Sequence, residues 1–141
     1  MQEQLISFET AKLAKEKGFE ELVSNCYYKE ELFGTYAMMD ENDSAFIDVM
    51  DGNELENHNS LDFIDYEYRF SAPTQSLLQK WLREKYHLII IVAYQYEHDS
   101  TPYSYWIYKE LQSLPINQWV NDLNTYEEAL ELGLQEALKL I

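Results

Sequence analysis

The groups in this 141-residue chain with chemistry to offer are His58, His87 and His98, the single cysteine Cys26, and 26 acidic side chains. A nucleophilic Cys26 needs an imidazole beside it to take its proton. All three histidines are distant in sequence, and Cys26 lies in the apolar run LVSNCYY. There a cysteine is expected to be a small buried hydrophobe. Being single, it excludes an intrachain disulfide. The stretch DVMDGNELE superficially matches a calcium loop. With Gly52 at the loop's glycine position, Ile47 and Val49 fall where oxygen ligands are needed, and His58 falls where the closing glutamate belongs. The motif fails. The histidines show neither HxH nor HxxxH spacing, so no zinc site is expected. SAPTQS, ahead of a helical pattern, lacks the glycines and the lysine of a phosphate cradle, so its hydroxyls read as caps. Glu97-His98-Asp99 reads as a solvated turn. No cofactor is expected.

Aromatic side chains are the less ordinary feature, with twelve tyrosines. In LIIIVAYQY one parity carries Leu88, Ile90, Val92, Tyr94 and Tyr96. In YSYWIYKEL one parity carries Tyr103, Tyr105 and Ile107, and the other carries Trp106 and Tyr108. Such rows pack across strands in a core or anchor a binding surface. Tyr94, Tyr96 and Tyr105 are therefore candidate binding residues. Asp48, Asp51 and Glu54 are candidates of another kind, from an acidic stretch whose carboxylates could engage a basic partner.

The elements that must position these residues follow from periodicity. SFETAKLAKEKG predicts an amphipathic helix capped by Ser7 and closed by Gly18. Strands are expected around Val23 to Tyr28, in LFGTYAMM and in SAFIDVM. FIDYEYRF alternates, which predicts a half-buried strand with Ile64, Tyr66, Tyr68 and Phe70 inward. Pro73 fits a first helical turn, and Leu77, Leu78, Trp81 and Leu82 form a helical stripe. LIIIVAY, apolar at both parities, predicts a central strand covered on both faces, with YSYWIYKEL as its hairpin partner. Thr125 and Glu128 form a capping box ahead of a helix whose apolar face runs through Tyr126, Leu130, Gly133, Leu134, Ala137, Leu138 and Ile141. The expected fold is one α+β domain over residues 1–141. It has a mostly antiparallel sheet and about three helices, in the order α-β-β-α-β-β-α.

ISFETAKLAKEKGF, SAPTQSLLQKWLREKYHLIIIV and YEEALELGLQEALKLI resemble, in the same order, a family of short proteins of unknown function. These come from gut Bacteroides-type bacteria and their phages or prophages. The acidic middle, residues 29–62, has no counterpart. The resemblance implies a phage or mobile-element origin. It brings no catalytic residue with it.

The net charge of −16 opposes direct binding to nucleic-acid phosphates or to an anionic membrane. It favours solubility, or a basic protein partner drawn in by attraction. The longest apolar run is Leu88 to Ala93, far short of the ~20 residues of a spanning helix. The first residues lack the apolar core of a signal peptide, so a cytoplasmic protein is expected. The reading that emerges is a small non-enzymatic interaction protein. Its partner is another protein, which would be basic if recognition is electrostatic, or a second copy of itself. The alternative is a small enzyme with a polar pocket and no recognisable motif.

Overall fold

The computed structural model describes residues 3–28, 46–49, 55–64, 66–95 and 101–141, with the backbone alone for 46–49 and 120–122. The fold is α+β, and the described residues form three helices and two three-stranded antiparallel sheets. It divides into two compact units, Leu5–Pro73 and Met1–Gln4 with Thr74–Ile141.

The Leu5–Pro73 unit begins with helix α1 (Phe8–Glu16). Ser7 caps it by accepting from the Thr10 amide at 3.3 Å, and Gly18 follows with φ +86, where a Cβ would be strained. Ala11 and Ala14 are buried on its inner face. Strand β1 (Asn25–Tyr28) pairs antiparallel with β2 (Phe46–Val49) on one side and β3 (Arg69–Ser71) on the other. Phe8 packs edge-on against Tyr27 and Phe70, with ring centroids 5.7 and 5.3 Å away. The expected strand in SAFIDVM is β2. LFGTYAMM lies outside the described residues.

FIDYEYRF is not the alternating strand that its pattern predicts. Tyr66–Tyr68 form a 3-10 helix, β3 begins only at Arg69, and Ile64 is fully exposed. The reason lies in two cations. The Lys15 ammonium hydrogen-bonds the carbonyls of Tyr66 and, at 2.8 Å, Arg69, and it lies 3.8 Å from the Tyr66 ring centroid. Those contacts hold the chain in a turn. Arg69, expected outward, is buried because its guanidinium finds partners inside.

The Thr74–Ile141 segment reads α-β-β-β-α. Helix α2 (Gln75–Tyr86) is capped by Thr74, which accepts from the Leu77 amide at 3.2 Å, and Pro73 stands just ahead of that cap. Leu78, Trp81 and Leu82 are buried. His87 ends α2 in the left-handed region at φ 58, and β4 (Leu88–Tyr94) starts at once. β4 pairs with β5 (Tyr103–Lys109), the expected hairpin partner, and β5 with β6 (Asn117–Leu123). Helix α3 (Tyr126–Lys139) closes the unit. Thr125 accepts from the Glu128 amide at 3.0 Å, while the Glu128 carboxylate reaches the amide of Asn124 at 3.1 Å. Leu130, Leu134, Ala137 and Leu138 are buried along its inner stripe. β6 was not expected from the sequence. β4 is not the centrally placed strand that its composition predicts: it is an edge of the sheet, and its outward parity is open to solvent at Ile91.

Candidate interaction surface

The β4–β5–β6 sheet has two different faces. Side chains of directly opposed residues share a face. One face therefore carries the rows Ile90–Ile107–Asn117 and Val92–Tyr105–Trp119. This is the helix side. At Gly133 of α3, a Cβ would stand 2.9 Å from Ile90 Cγ2 and 3.3 Å from the Tyr105 ring. Leu88, Ile90, Tyr105 and Ile107 are accordingly buried.

The opposite face carries Ile91–Trp106–Gln118, Ile89–Tyr108 and Ala93–Ser104. Ile91 is 45 % exposed, Ile89, Ala93, Trp106 and Tyr108 are half-buried, and Ser104 is buried. No residue among these seven is charged, although the chain carries 26 acids and 10 bases. Water against such a face is costly, at about 25 cal/mol per Å² of apolar surface, and covering it with another apolar surface releases that free energy.

The residues singled out from sequence are not gathered into one place. Tyr105 is core, 1 % exposed, with its phenol pushed up to about 12 by burial and then by the negative charge of Glu136. Tyr94 is exposed at the end of β4, edge-on to Tyr103 at 5.3 Å. Asp48 lies in β2, opposite Cys26. Tyr96, Asp51 and Glu54 lie outside the described residues, as does the Glu97-His98-Asp99 turn. The sequence places Trp106 and Tyr108 on the parity of YSYWIYKEL opposite to Tyr105. Their importance was legible in one feature: a hairpin apolar at both parities has two faces to cover.

Two other arrangements bear on chemistry. In the Leu5–Pro73 unit the Arg69 Nε–H donates to His58 Nδ1 at 3.0 Å, which makes that nitrogen an acceptor and the ring neutral. Arg69 also meets Glu56 at 3.5 Å and lies 3.9 Å from the Phe63 ring centroid. His58 is fully buried and Arg69 nearly so, an arrangement that fixes the Glu56–Arg69 loop rather than facing a substrate. Cys26 is buried and lies opposite Ser71 in the ladder. In the other unit a cleft of about 310 Å³ is lined by Glu3, Gln4, Gln75, Gln79, Tyr126 and Glu127, without a basic residue. Among the described residues no group of histidine, cysteine and carboxylate side chains is arranged to hold a metal ion, and no helix is long and apolar enough to cross a membrane.

Comparison with known proteins returns no matching family model, no matching curated protein and no matching solved structure.

Proposed function

We propose that this chain is an interaction protein whose docking surface is the outer face of the β4–β5–β6 sheet. The observation that carries this reading is the uncharged apolar row Ile89, Ile91, Trp106 and Tyr108 in a chain of net charge −16. Acidic side chains elsewhere keep the molecule dispersed, and among the described residues this face offers a partner apolar area without charge to desolvate. The fitting partner is a protein with an apolar patch of its own, and Trp106, at the centre of the middle strand, is the anchor. The likeness of three sequence stretches to phage-associated proteins supports a phage or mobile-element setting for that partnership.

Trp106→Gln tests the reading. The ring is lost from the outer face while the β5 ladder keeps its backbone bonds. Proteins retained by the immobilised wild type are expected to be lost by the variant, with an unchanged far-UV circular dichroism spectrum. Retention of the same proteins by a folded Trp106→Gln chain would reject this face as the docking surface.

A further inference from the structure

We infer that β4 is an open edge built to pair with the β4 of a second copy of this chain, joining two three-stranded sheets into one. The contact is made by the backbone edge of β4; it shares Ile89 and Ile91 with the outer sheet face but does not depend on what docks there.

The phase of the ladder locates the free groups. The Glu110 amide donates to the His87 carbonyl and the Gln95 amide to the Pro102 carbonyl, both at 2.8 Å. In an antiparallel pair, hydrogen-bonded and non-bonded positions alternate. Residues 89, 91 and 93 therefore bond to β5, and Leu88, Ile90, Val92 and Tyr94 direct their N–H and C=O groups away from it. Among the described residues β4 is the terminal strand of its sheet. Among the described residues one group meets that outward row: Gln79 Nε2 donates to the Ile90 carbonyl at 2.9 Å. The outward groups of Val92 and Tyr94 have no backbone partner among the described residues.

Edge strands of soluble proteins are ordinarily blunted by a charge, a proline, a bulge or brevity. β4 has none of these. It is seven residues long, LIIIVAY, with an unbroken register against β5.

Its composition selects the occupant. A strand added here must be apolar at both parities, to extend the helix-side row and the outer row together, and β4 itself meets that demand. Antiparallel pairing about a two-fold axis at Ile91 sets Ile91 against Ile91, Ile90 against Val92 and Leu88 against Tyr94. All the outward-pointing residues then exchange backbone bonds, the Ile90 carbonyl using its two lone pairs to accept both from Gln79 and from the second copy's Val92 amide, and no acid faces an acid. For a molecule with 26 acidic side chains, this uncharged strand is where two copies meet without like charges opposed.

Sedimentation velocity of the full chain across micromolar to submillimolar concentrations tests the pairing. The wild type is expected to show a concentration-dependent monomer–dimer equilibrium. Val92→Pro removes an outward amide while leaving every β4–β5 bond, since proline is tolerated on an open edge. It is expected to weaken the dimer about tenfold or more, from the loss of the two symmetric bonds that the amide makes. Ile91→Lys, which sets two ammonium groups opposite one another at the axis, is expected to do the same. Leu114→Ser, in the exposed connection between β5 and β6, is expected to leave the equilibrium in place. Should Val92→Pro fail to fold, amide exchange of the wild type decides. Val92 and Tyr94 amides that slow with rising concentration support the pairing, and rates independent of concentration overturn it. A wild type that stays monomeric throughout, or a folded Val92→Pro chain that dimerises as tightly as the wild type, overturns it as well.

Discussion

Tyr105 is the largest fully buried side chain among the described residues, and its hydroxyl is the chemically interesting part of it. The ring lies under Gly133, and the Oη–H reaches Asn117 Oδ1 at 3.5 Å. Burial disfavours the phenolate, and Glu136 adds a negative charge nearby, so the group holds its proton up to about 12. In the unfolded chain the same phenol ionises near about 10. Between those two values the unfolded state has lost the proton that the folded state keeps, so raising the pH favours unfolding. The stability from this group is complete below about 10 and gone above about 12. Tyr105→Phe keeps the ring and removes the titration. Urea midpoints measured from neutral pH into that alkaline window are expected to fall more steeply for the wild type than for Tyr105→Phe. Parallel curves would show that the phenol is not held neutral by the fold. As a binding residue Tyr105 has no surface to offer, whereas Trp106, its neighbour in the chain, points to the other side.

At the scale of elements, the contact of α3 with the sheet turns on one missing atom. Alanine at position 133 would gain about 1 kcal/mol of helix propensity. Its Cβ, however, would stand 2.9 Å from Ile90 Cγ2, a branched methyl with little freedom, and 3.3 Å from a ring that is itself packed. Overpacking of this kind costs about 1–3 kcal/mol. Gly133→Ala is therefore expected to lower the unfolding free energy by about 1 kcal/mol, read as a shift of the urea midpoint at unchanged slope. A stabilised variant would mean that α3 stands further off than the structure places it. The sequence contained this contact, because a glycine inside a strong amphipathic pattern marks a close approach. It also contained the three helices with their caps, Ser7, Thr74 and Thr125, since each cap is a local arrangement of one side chain and one amide. FIDYEYRF misled because its alternation is real, but Lys15, remote in sequence, gathers the carbonyls of Tyr66 and Arg69, and Arg69 itself turns inward to His58 and Glu56. β6 went unseen for a related reason: NQWVNDL has polar residues at both parities, and only its neighbour β5 makes it a strand. LIIIVAY misled in the opposite direction. Apolar residues at both parities reveal that both faces want cover, and they leave open which molecule supplies it.

At the scale of the whole molecule, the net charge sets how any association responds to salt. Each copy carries −16, and two copies brought together repel through every carboxylate not screened from its counterparts. The paired strands contain no charge, so salt has little to disrupt within the β4–β4 contact itself. Its effect falls on the repulsion between the two bodies. Screening shortens from about 10 Å at 0.1 M to about 3 Å at 1 M ionic strength. The dimer is therefore expected to tighten as sodium chloride is raised over that range, with Val92→Pro remaining the weaker associator at each concentration. A basic segment lying in the Glu3–Glu127 cleft would behave the other way, because its attraction depends on the carboxylates that salt screens. Sedimentation of the wild type at low and high salt thus separates the two kinds of contact by sign. Self-association that weakens as salt is added would mean that the copies are held by opposite charges, and the uncharged edge of β4 could not then be the strand that joins them.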